Sequence, residues 1–309
     1  MPFDFATVSA PFRMQPGLRR MAPGAPHLTP NAPGAPHLHE KLGVLGSHAA
    51  QALLAAPGFD AAPALFAVMA QALTEHPDAF DWDGALAFDA RLLGWSIRGT
   101  ALRGDGPAEI GTCLRALPPE WRLPGLLSLA LAEDLAVIDG ASARIPWLAV
   151  CLPSRWAPEA KIGRHFAEVH APVADNQLLV TAADYLARLV TGADRWERFV
   201  WTLTDEPRVM QHPCHVARTA WPAELDAEAL AAHASFRTEH QTFIPLPEAG
   251  QAVFTIGVES RPLVEAIDTP ERARQLHDAL ASLSDAVLAY RGLTDARERL
   301  LAWLASVAA

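Results

Sequence analysis

The residue types best suited to chemistry are concentrated in one stretch of the chain, residues 152–173, which includes Trp156, Lys161 and His170. His170 ends a short amphipathic segment and is followed by Ala-Pro-Val. A neutral imidazole can bind a metal ion or accept a proton near neutral pH. His170 is therefore a candidate metal ligand or general base. The alternative is a histidine at a helix end that is hydrogen-bonded to the backbone.

A second polar group is predicted on a strand near residue 240. Side chains alternate along a strand, so Arg237, Glu239 and Gln241 would share one face. Three polar side chains on one face of an otherwise apolar sheet either meet solvent or line a polar pocket. In a pocket, the Glu239 carboxylate is suited to bind a cation or to relay protons. The alternative for Glu239 is a salt bridge with Arg237.

Other chemically interesting residues have simpler explanations. Trp156 and Trp201 would wall a pocket through aromatic contacts, although core packing is the more common role of tryptophan. The segment His212-Pro-Cys-His215 resembles a fragment of a metal site but lacks partners at zinc spacing. Cys151 ends a predicted strand and is expected to be a small buried apolar residue rather than a thiolate ligand.

Composition limits the class of protein. The chain has 309 residues, half of them apolar, with 25 basic and 35 acidic side chains and a net charge of −10. This balance argues against binding to nucleic acid. The three cysteines form no C-x-x-C pair, which argues against a disulfide framework. With no signal-peptide pattern and no apolar run long enough to span a bilayer, we expect a soluble cytoplasmic protein without a membrane partner.

The order of predicted elements indicates an α+β fold with an antiparallel sheet. Apolar residues at helical spacing predict helices from Glu40 to about Thr74, with 78–102 unassigned. Short apolar runs after Leu126 predict strands, and helices are expected at 158–170 and 178–190 and again at the end of the chain. We therefore divide the chain into a Pro-rich N-terminal arm (1–40), a helical N-terminal region (41–125), a strand-rich core (126–265) and C-terminal helices (266–309). In the arm, an Ala-Pro-Gly-Ala-Pro-His-Leu repeat ends at Leu28 and Leu38, which we expect to anchor the arm to the domain.

Several ordered blocks of this sequence are similar to one known family. The pattern Pro-Ser-x-Trp-x-Pro-x-x-Lys-x-Gly starting at Pro153, followed by His-x-Pro-Val at His170, resembles the haem-dependent oxidative N-demethylase α-subunit family. The later Arg-x-Glu-x-Gln-Thr series at Arg237 resembles the same family, as does Trp196-x-Arg-Phe-x-Trp. The blocks are spread over roughly residues 10 to 265. The chain departs from the family pattern at Ala174, where Pro is frequent, and at His240, where Arg is common.

The resemblance implies a PAS-like antiparallel sheet that holds a haem b. It implies a monooxygenase that removes a methyl group from a small secondary amine, such as dimethylamine, as formaldehyde. His170 would then be the axial ligand of the iron, and Trp156 and Gln241 would line the cofactor pocket. Lys161 and Arg237 would pair with haem propionates or polarise bound oxygen, although a solvated side chain is the alternative for Lys161. Glu239 and Arg237 would be the catalytic residues.

The resemblance also implies a protein partner that supplies electrons. No Gly-x-Gly-x-x-Gly motif or other nucleotide-binding loop is visible in the sequence, so electrons for dioxygen chemistry would come from a flavoprotein or another reductase subunit. The C-terminal helices are also suited to form a homo-oligomer. Two other functions remain open at this point. One is a haem-binding PAS-type sensor or carrier without turnover, and the other is a structural subunit without cofactor.

Overall fold

The computed structural model describes residues 3–85 and 87–309, and these residues form an α+β fold with antiparallel sheets. The strands are β1 (Arg19–Arg20), β2 (Leu53–Ala55), β3 (Phe80–Trp82), β4 (Ala87–Ala90), β5 (Trp95–Arg98), β6 (Ala101–Gly104), β7 (Asp134–Asp139), β8 (Arg144–Ala149), β9 (Trp196–Thr204), β10 (Ser235–Leu246) and β11 (Gln251–Pro262). The helices are α1 (Pro36–Ala52), α2 (Ala62–Glu75), α3 (Ala108–Ala116), α4 (Arg122–Ala130), α5 (Phe166–His170), α6 (Gln177–Thr181), α7 (Ala183–Val190), α8 (Ala227–His233), α9 (Leu263–Ala266), α10 (Pro270–Ala281), α11 (Asp285–Arg291) and α12 (Arg297–Ala308). The predicted fold class is confirmed at this level.

The larger sheet has seven strands in the order β1-β9-β10-β11-β7-β8-β2, and every neighbouring pair is antiparallel. Its centre is the long hairpin of β10 and β11, which pair from Ser235 opposite Pro262 to Leu246 opposite Gln251. A 3₁₀ turn at Pro247–Ala249 joins the two strands, and Gly250 ends it with φ of +61°. Because glycine has no Cβ, it adopts this left-handed conformation without strain.

Two apolar clusters hold the sheet in place. One cluster packs the four helices α1, α2, α3 and α4 against the sheet and includes Leu45, Leu126 and Val137. The other joins the C-terminal helices to β9 and β10 and includes Trp201 and Leu300. The sheet therefore has helical support from both the N-terminal and the C-terminal parts of the chain. Among the helices that the structure describes, none combines the length and the apolar character needed to span a bilayer.

The N-terminal region is less helical than the sequence indicated. Besides its helices it contains a second antiparallel sheet, in the order β3-β4-β5-β6, within the stretch that periodicity left unassigned. Each of these strands has only three or four residues, which is too short for an alternating pattern to stand out. Their pairing is nevertheless specific, because Phe88 faces Ile97 in the register and both are buried.

The two helices predicted beside the candidate histidine are shorter than expected. The prediction of one helix over 158–170 is wrong, because only a 3₁₀ turn at Pro158–Ala160 and α5 are helical. Gly163, with φ of +69°, lies between them in a left-handed conformation that no α-helix continues through. The predicted helix at 178–190 is divided into α6 and α7 at Ala182.

The Pro-rich arm is tied to the domain as expected from its repeat. Leu28 and Leu38 are both buried in the N-terminal apolar cluster. The Glu75 carboxylate accepts hydrogen bonds from the backbone N–H groups of His27 (2.8 Å) and Leu28 (3.0 Å). These bonds satisfy backbone donors that a proline-rich segment cannot pair in a sheet.

A buried ion pair joins the helical region to the strand that begins the core. The ammonium of Lys41 on α1 lies 3.1 Å from Asp134 Oδ1 on β7, and both side chains are essentially inaccessible to solvent. Lys41 also donates hydrogen bonds to the carbonyl oxygens of Leu131 and Glu133. Asp134 Oδ2 in turn accepts the backbone N–H of Leu152, where the candidate site begins.

We expect Lys41→Met to lower the free energy of unfolding by about 3–5 kcal/mol, because it leaves the Asp134 carboxylate buried without its counter-ion. Urea unfolding measures the change. Arg98→Met removes an exposed pair with Asp89 and should cost no more than about 1 kcal/mol. A Lys41→Met protein as stable as the wild type would show that this pair does not anchor α1 to the sheet.

Candidate functional site

One cavity of about 370 Å³ lies against the long strands of the larger sheet. All six residues that the sequence predicted for the site line this cavity, namely Trp156, Lys161, His170, Arg237, Glu239 and Gln241. The three residues of β10 alternate along the strand as predicted. The cross-strand partners of Gln241 and Glu239 on β9 are Arg198 and Val200, and both also line the cavity.

One ring nitrogen of His170 forms a hydrogen bond, and the other has no partner among residues 3–85 and 87–309. Its Nδ1 lies 2.9 Å from the carbonyl oxygen of Phe166, one turn earlier in α5. A carbonyl can only accept, so Nδ1 carries the proton and Nε2 keeps its lone pair. Burial lowers the pKa of His170 to about 4, and the positive charges of Arg198 and Lys161 act in the same direction. The imidazole is therefore neutral at physiological pH, with Nε2 suited to bind a metal ion.

Arg237 is fully engaged by the protein. Its side chain is buried, and its Nε and Nη2 donate to the Ser154 hydroxyl at 3.0 and 2.8 Å. Nη2 also donates to the carbonyl of Val209 at 2.8 Å. Burial lowers the pKa of Arg237 to about 10, so the group stays protonated near neutral pH. Its geometry is that of a structural cation that fixes the loop around Ser154.

Glu239 is held by two neutral donors. The Ser154 hydroxyl donates to Oε1 and the Gln241 amide donates to Oε2, both through short hydrogen bonds. The expected alternative, a direct salt bridge to Arg237, is replaced by a chain in which Ser154 accepts from the guanidinium and donates to the carboxylate. The carboxylate is thereby fixed in position at the cavity wall and keeps lone pairs for a further donor.

The remaining predicted residues also line the cavity. The Lys161 ammonium donates to the carbonyl of Val169 at 2.7 Å, and burial lowers its pKa. Trp156 is half-buried and packs against two apolar clusters. It therefore contributes to core packing and also forms part of the cavity wall. Trp201 is buried with Phe236 and the C-terminal helices, which agrees with the expected role in core packing.

The two departures from the family pattern lie outside the cavity lining. The ring of His240 stacks on Phe199 at 4.5 Å, and its Nε2 lies 2.8 Å from Glu197 Oε2. Neither His240 nor Ala174 is among the residues that line the cavity. His240 lies on the pocket strand but points away from the cavity, because neighbouring residues of a strand point to opposite faces.

Sequence reasoning missed other residues of the cavity, among them Ser154, Arg198 and Arg291. Ser154 stands between the carboxylate and the guanidinium described above, and its place in the Pro-Ser-x-Trp block was a usable signal. Arg198 lies opposite Gln241 on the neighbouring strand. It could have been predicted to face the cavity only if the pairing of β9 with β10 had been known. Arg291 at the end of α11 lies far away in the sequence, and nothing in its local pattern pointed to the site.

The segment 212–215 does not have the geometry of a formed metal site. Ligand atoms of Glu159, His212 and Cys214 lie within 4.8 Å of one another. However, His212 Nε2 lies 3.1 Å from Glu159 Oε2, and its Nδ1 accepts the backbone N–H of Cys214. Both ring nitrogens are thus already engaged. Cys151 is buried as expected, and burial raises the pKa of its thiol.

Residues 37–301 match the family model described as haem-dependent oxidative N-demethylase, alpha subunit-like. The chain belongs to this family. The match spans most of the chain and includes every residue described above at the cavity. The family name refers to dependence on haem and to the alpha subunit of a complex with more than one subunit.

The lowered pKa of His170 predicts a pH-dependent stability. The unfolded chain takes up a proton near pH 6.5, and the folded protein only near pH 4. The stability that depends on neutral His170 is therefore present above pH 6.5 and is lost as the pH falls towards 4. Between pH 7 and 5 we expect the wild type to lose roughly 1–2 kcal/mol more than His170→Gln.

Urea unfolding of both proteins at pH 7 and pH 5 measures this difference. The other histidines are common to both proteins and cancel in the comparison. Equal losses in the two proteins would mean that His170 is not buried in neutral form.

Proposed function

We propose that this protein is a haem-dependent monooxygenase that removes a methyl group from a small secondary amine, such as dimethylamine, and releases it as formaldehyde. The observation that carries the proposal is the state of His170. Its Nδ1–H donates to a backbone carbonyl, its Nε2 has no hydrogen-bond partner among the described residues, and the residue lines the cavity. This is the arrangement typical of histidines that bind metals, because the second nitrogen fixes the ring and the tautomer.

The cavity has the properties that a haem b requires of its pocket. Apolar side chains form much of the wall, including Ile138, Leu148, Leu186, Val190 and Phe254. An imidazole with a free nitrogen lies at one side, and basic residues line the same space. An apolar porphyrin with two carboxylates and an iron fits this donor set. We further propose that the larger sheet is PAS-like, as the family resemblance implies.

When bound, haem supplies the activation of dioxygen that oxidative demethylation needs. The overall reaction consumes one amine, one O₂, two electrons and two protons. One oxygen atom leaves in formaldehyde and the other in water, and the amine loses one methyl group. The electrons must come from a partner, for which a flavoprotein or another reductase subunit is suited, and the α-subunit family name supports such a complex.

The protein's own residues would bind and orient the substrate. A small amine is protonated at neutral pH and therefore needs an anionic acceptor. Glu239 is the carboxylate at the cavity wall that neutral donors hold in position. We assign it to bind the ammonium group and to take up its proton before oxidation. Arg237 acts through Ser154 and Glu239, as a residue that positions the carboxylate.

The second function that the cavity supports is haem binding without turnover, as in a sensor or carrier. The same His170 geometry favours it, and only substrate oxidation separates the two. A structural subunit without cofactor is the reading that the free Nε2 supports least.

We expect protein titrated with haem to give a Soret band that depends on His170. His170→Ala should bind haem more weakly with a shifted band, and added imidazole should restore the wild-type spectrum. His39→Ala is the matched control, since His39 is exposed. An unchanged band in His170→Ala would refute the ligand assignment, and a wild-type protein with no Soret band would refute haem binding.

We expect the haem-loaded protein to release formaldehyde from dimethylamine when O₂ and a chemical reductant are supplied. Glu239→Gln removes the charge that attracts the ammonium, so KM should rise roughly tenfold or more while the Soret band stays unchanged. An unaltered KM would exclude Glu239 from substrate binding. If no small methylamine yields formaldehyde, the carrier function replaces the enzymatic one.

A further inference from the structure

The cavity is far more basic than the protein as a whole. Its lining contains six basic side chains and two acidic ones, in a chain whose net charge is −10. The basic residues are Arg155, Lys161, Arg198, Arg218, Arg237 and Arg291, and the acidic ones are Asp205 and Glu239. Such a concentration of one sign of charge against the overall balance favours an anionic ligand.

Four of the basic side chains already have partners. Arg155 donates to Asp205 and to the carbonyls of Val216 and Ala217. Lys161 and Arg218 each donate to a backbone carbonyl, those of Val169 and Tyr290 respectively. Arg237 is bound by Ser154 and by backbone oxygens. These four groups are accounted for by the protein itself.

Arg198 and Arg291 differ from the other four. Arg198 Nε and Arg291 Nη1 are buried, and neither has a hydrogen-bond partner among residues 3–85 and 87–309. The Arg291 guanidinium lies over the rings of Phe12 and Trp201, at 4.5 and 5.1 Å from their centroids. These aromatic contacts hold the group in place but do not supply a hydrogen-bond acceptor for Nη1. Burial lowers the pKa of both arginines, that of Arg291 to about 10. Arginine side chains keep their positive charge in proteins at neutral pH.

A buried cation without a partner is costly, so such groups are normally paired with an anion. Arg198 and Arg291 line the same cavity but are placed by different faces of β9. Arg198 lies on the face of the strand that carries Val200, whereas Arg291 contacts Trp201, whose side chain points to the opposite face. The two guanidinium groups are therefore separate sites for negative charge on the wall of one cavity.

We propose that Arg198 and Arg291 bind the two carboxylates of the ligand that fills this cavity. In the function proposed above, on which this inference rests for the identity of the ligand, these are the haem propionates. Arginine suits this role because its planar guanidinium pairs with both oxygens of a carboxylate. The assignment replaces the expectation that Arg237 pairs with a propionate, because Arg237 is already engaged by the protein.

Metal-free protoporphyrin IX and its dimethyl ester separate carboxylate binding from iron ligation. We expect the wild type to bind the diacid roughly ten- to a hundredfold more tightly than the diester, measured by quenching of protein fluorescence. Arg198→Met and Arg291→Met keep the apolar stem but remove the charge. Each should weaken binding of the diacid about tenfold and leave binding of the diester unchanged. Arg188→Met is the matched control, because Arg188 is exposed on α7 and does not line the cavity.

The outcomes distinguish this inference from the proposed function. Equal affinity of the wild type for diacid and diester, or binding of neither, overturns the inference. A variant that keeps the wild-type preference overturns the assignment of that arginine, and a variant that loses both ligands equally shows a structural role only. A diacid preference together with a Soret band independent of His170 would uphold the inference while refuting the iron ligand.

Discussion

The cost of burying charge against an apolar sheet governs the arrangement of this site. A buried guanidinium or carboxylate without partners destabilises the fold by several kcal/mol. Arg237 is stabilised by hydrogen bonds to the Ser154 hydroxyl and to backbone carbonyl oxygens. The same hydroxyl donates a hydrogen bond to the Glu239 carboxylate. One structural requirement therefore also fixes the position of a carboxylate at the cavity wall. At Arg198 and Arg291 the described residues leave a buried nitrogen without a hydrogen-bond partner. In our proposal, these two guanidinium groups give the cavity its affinity for an anion.

The cost of burying charge also determines the state of His170, which is buried as a neutral group. A helix of only five residues is enough to orient the ring, because the acceptor for Nδ1 is the carbonyl one turn earlier. Desolvation then keeps the imidazole neutral. Leu179 and Leu186 from the two following helices close the apolar side of the cavity. The break in the chain at Ala182 produces two short helices where the sequence predicted one.

The strand-rich core was predictable from sequence because its strands are long or clearly bounded. Alternation placed Arg237, Glu239 and Gln241 on one wall, and the structure brings them together with His170, Lys161 and Trp156. The small sheet of β3 to β6 was not predictable from periodicity, since its strands are too short. The pairing of Arg198 with Gln241 depends on the register between distant strands. Arg291 reaches the cavity only through the packing of the C-terminal helices, for which local sequence has no signal.

The central claim is that His170 Nε2 is kept free to bind iron. The most direct measurement is an experimental structure of the protein purified after expression with ample haem. We predict a porphyrin in the cavity, its iron bonded to His170 Nε2 and its carboxylates directed at Arg198 and Arg291. A porphyrin whose iron is bonded to another residue, or a cavity without porphyrin in protein saturated with haem, would contradict this account.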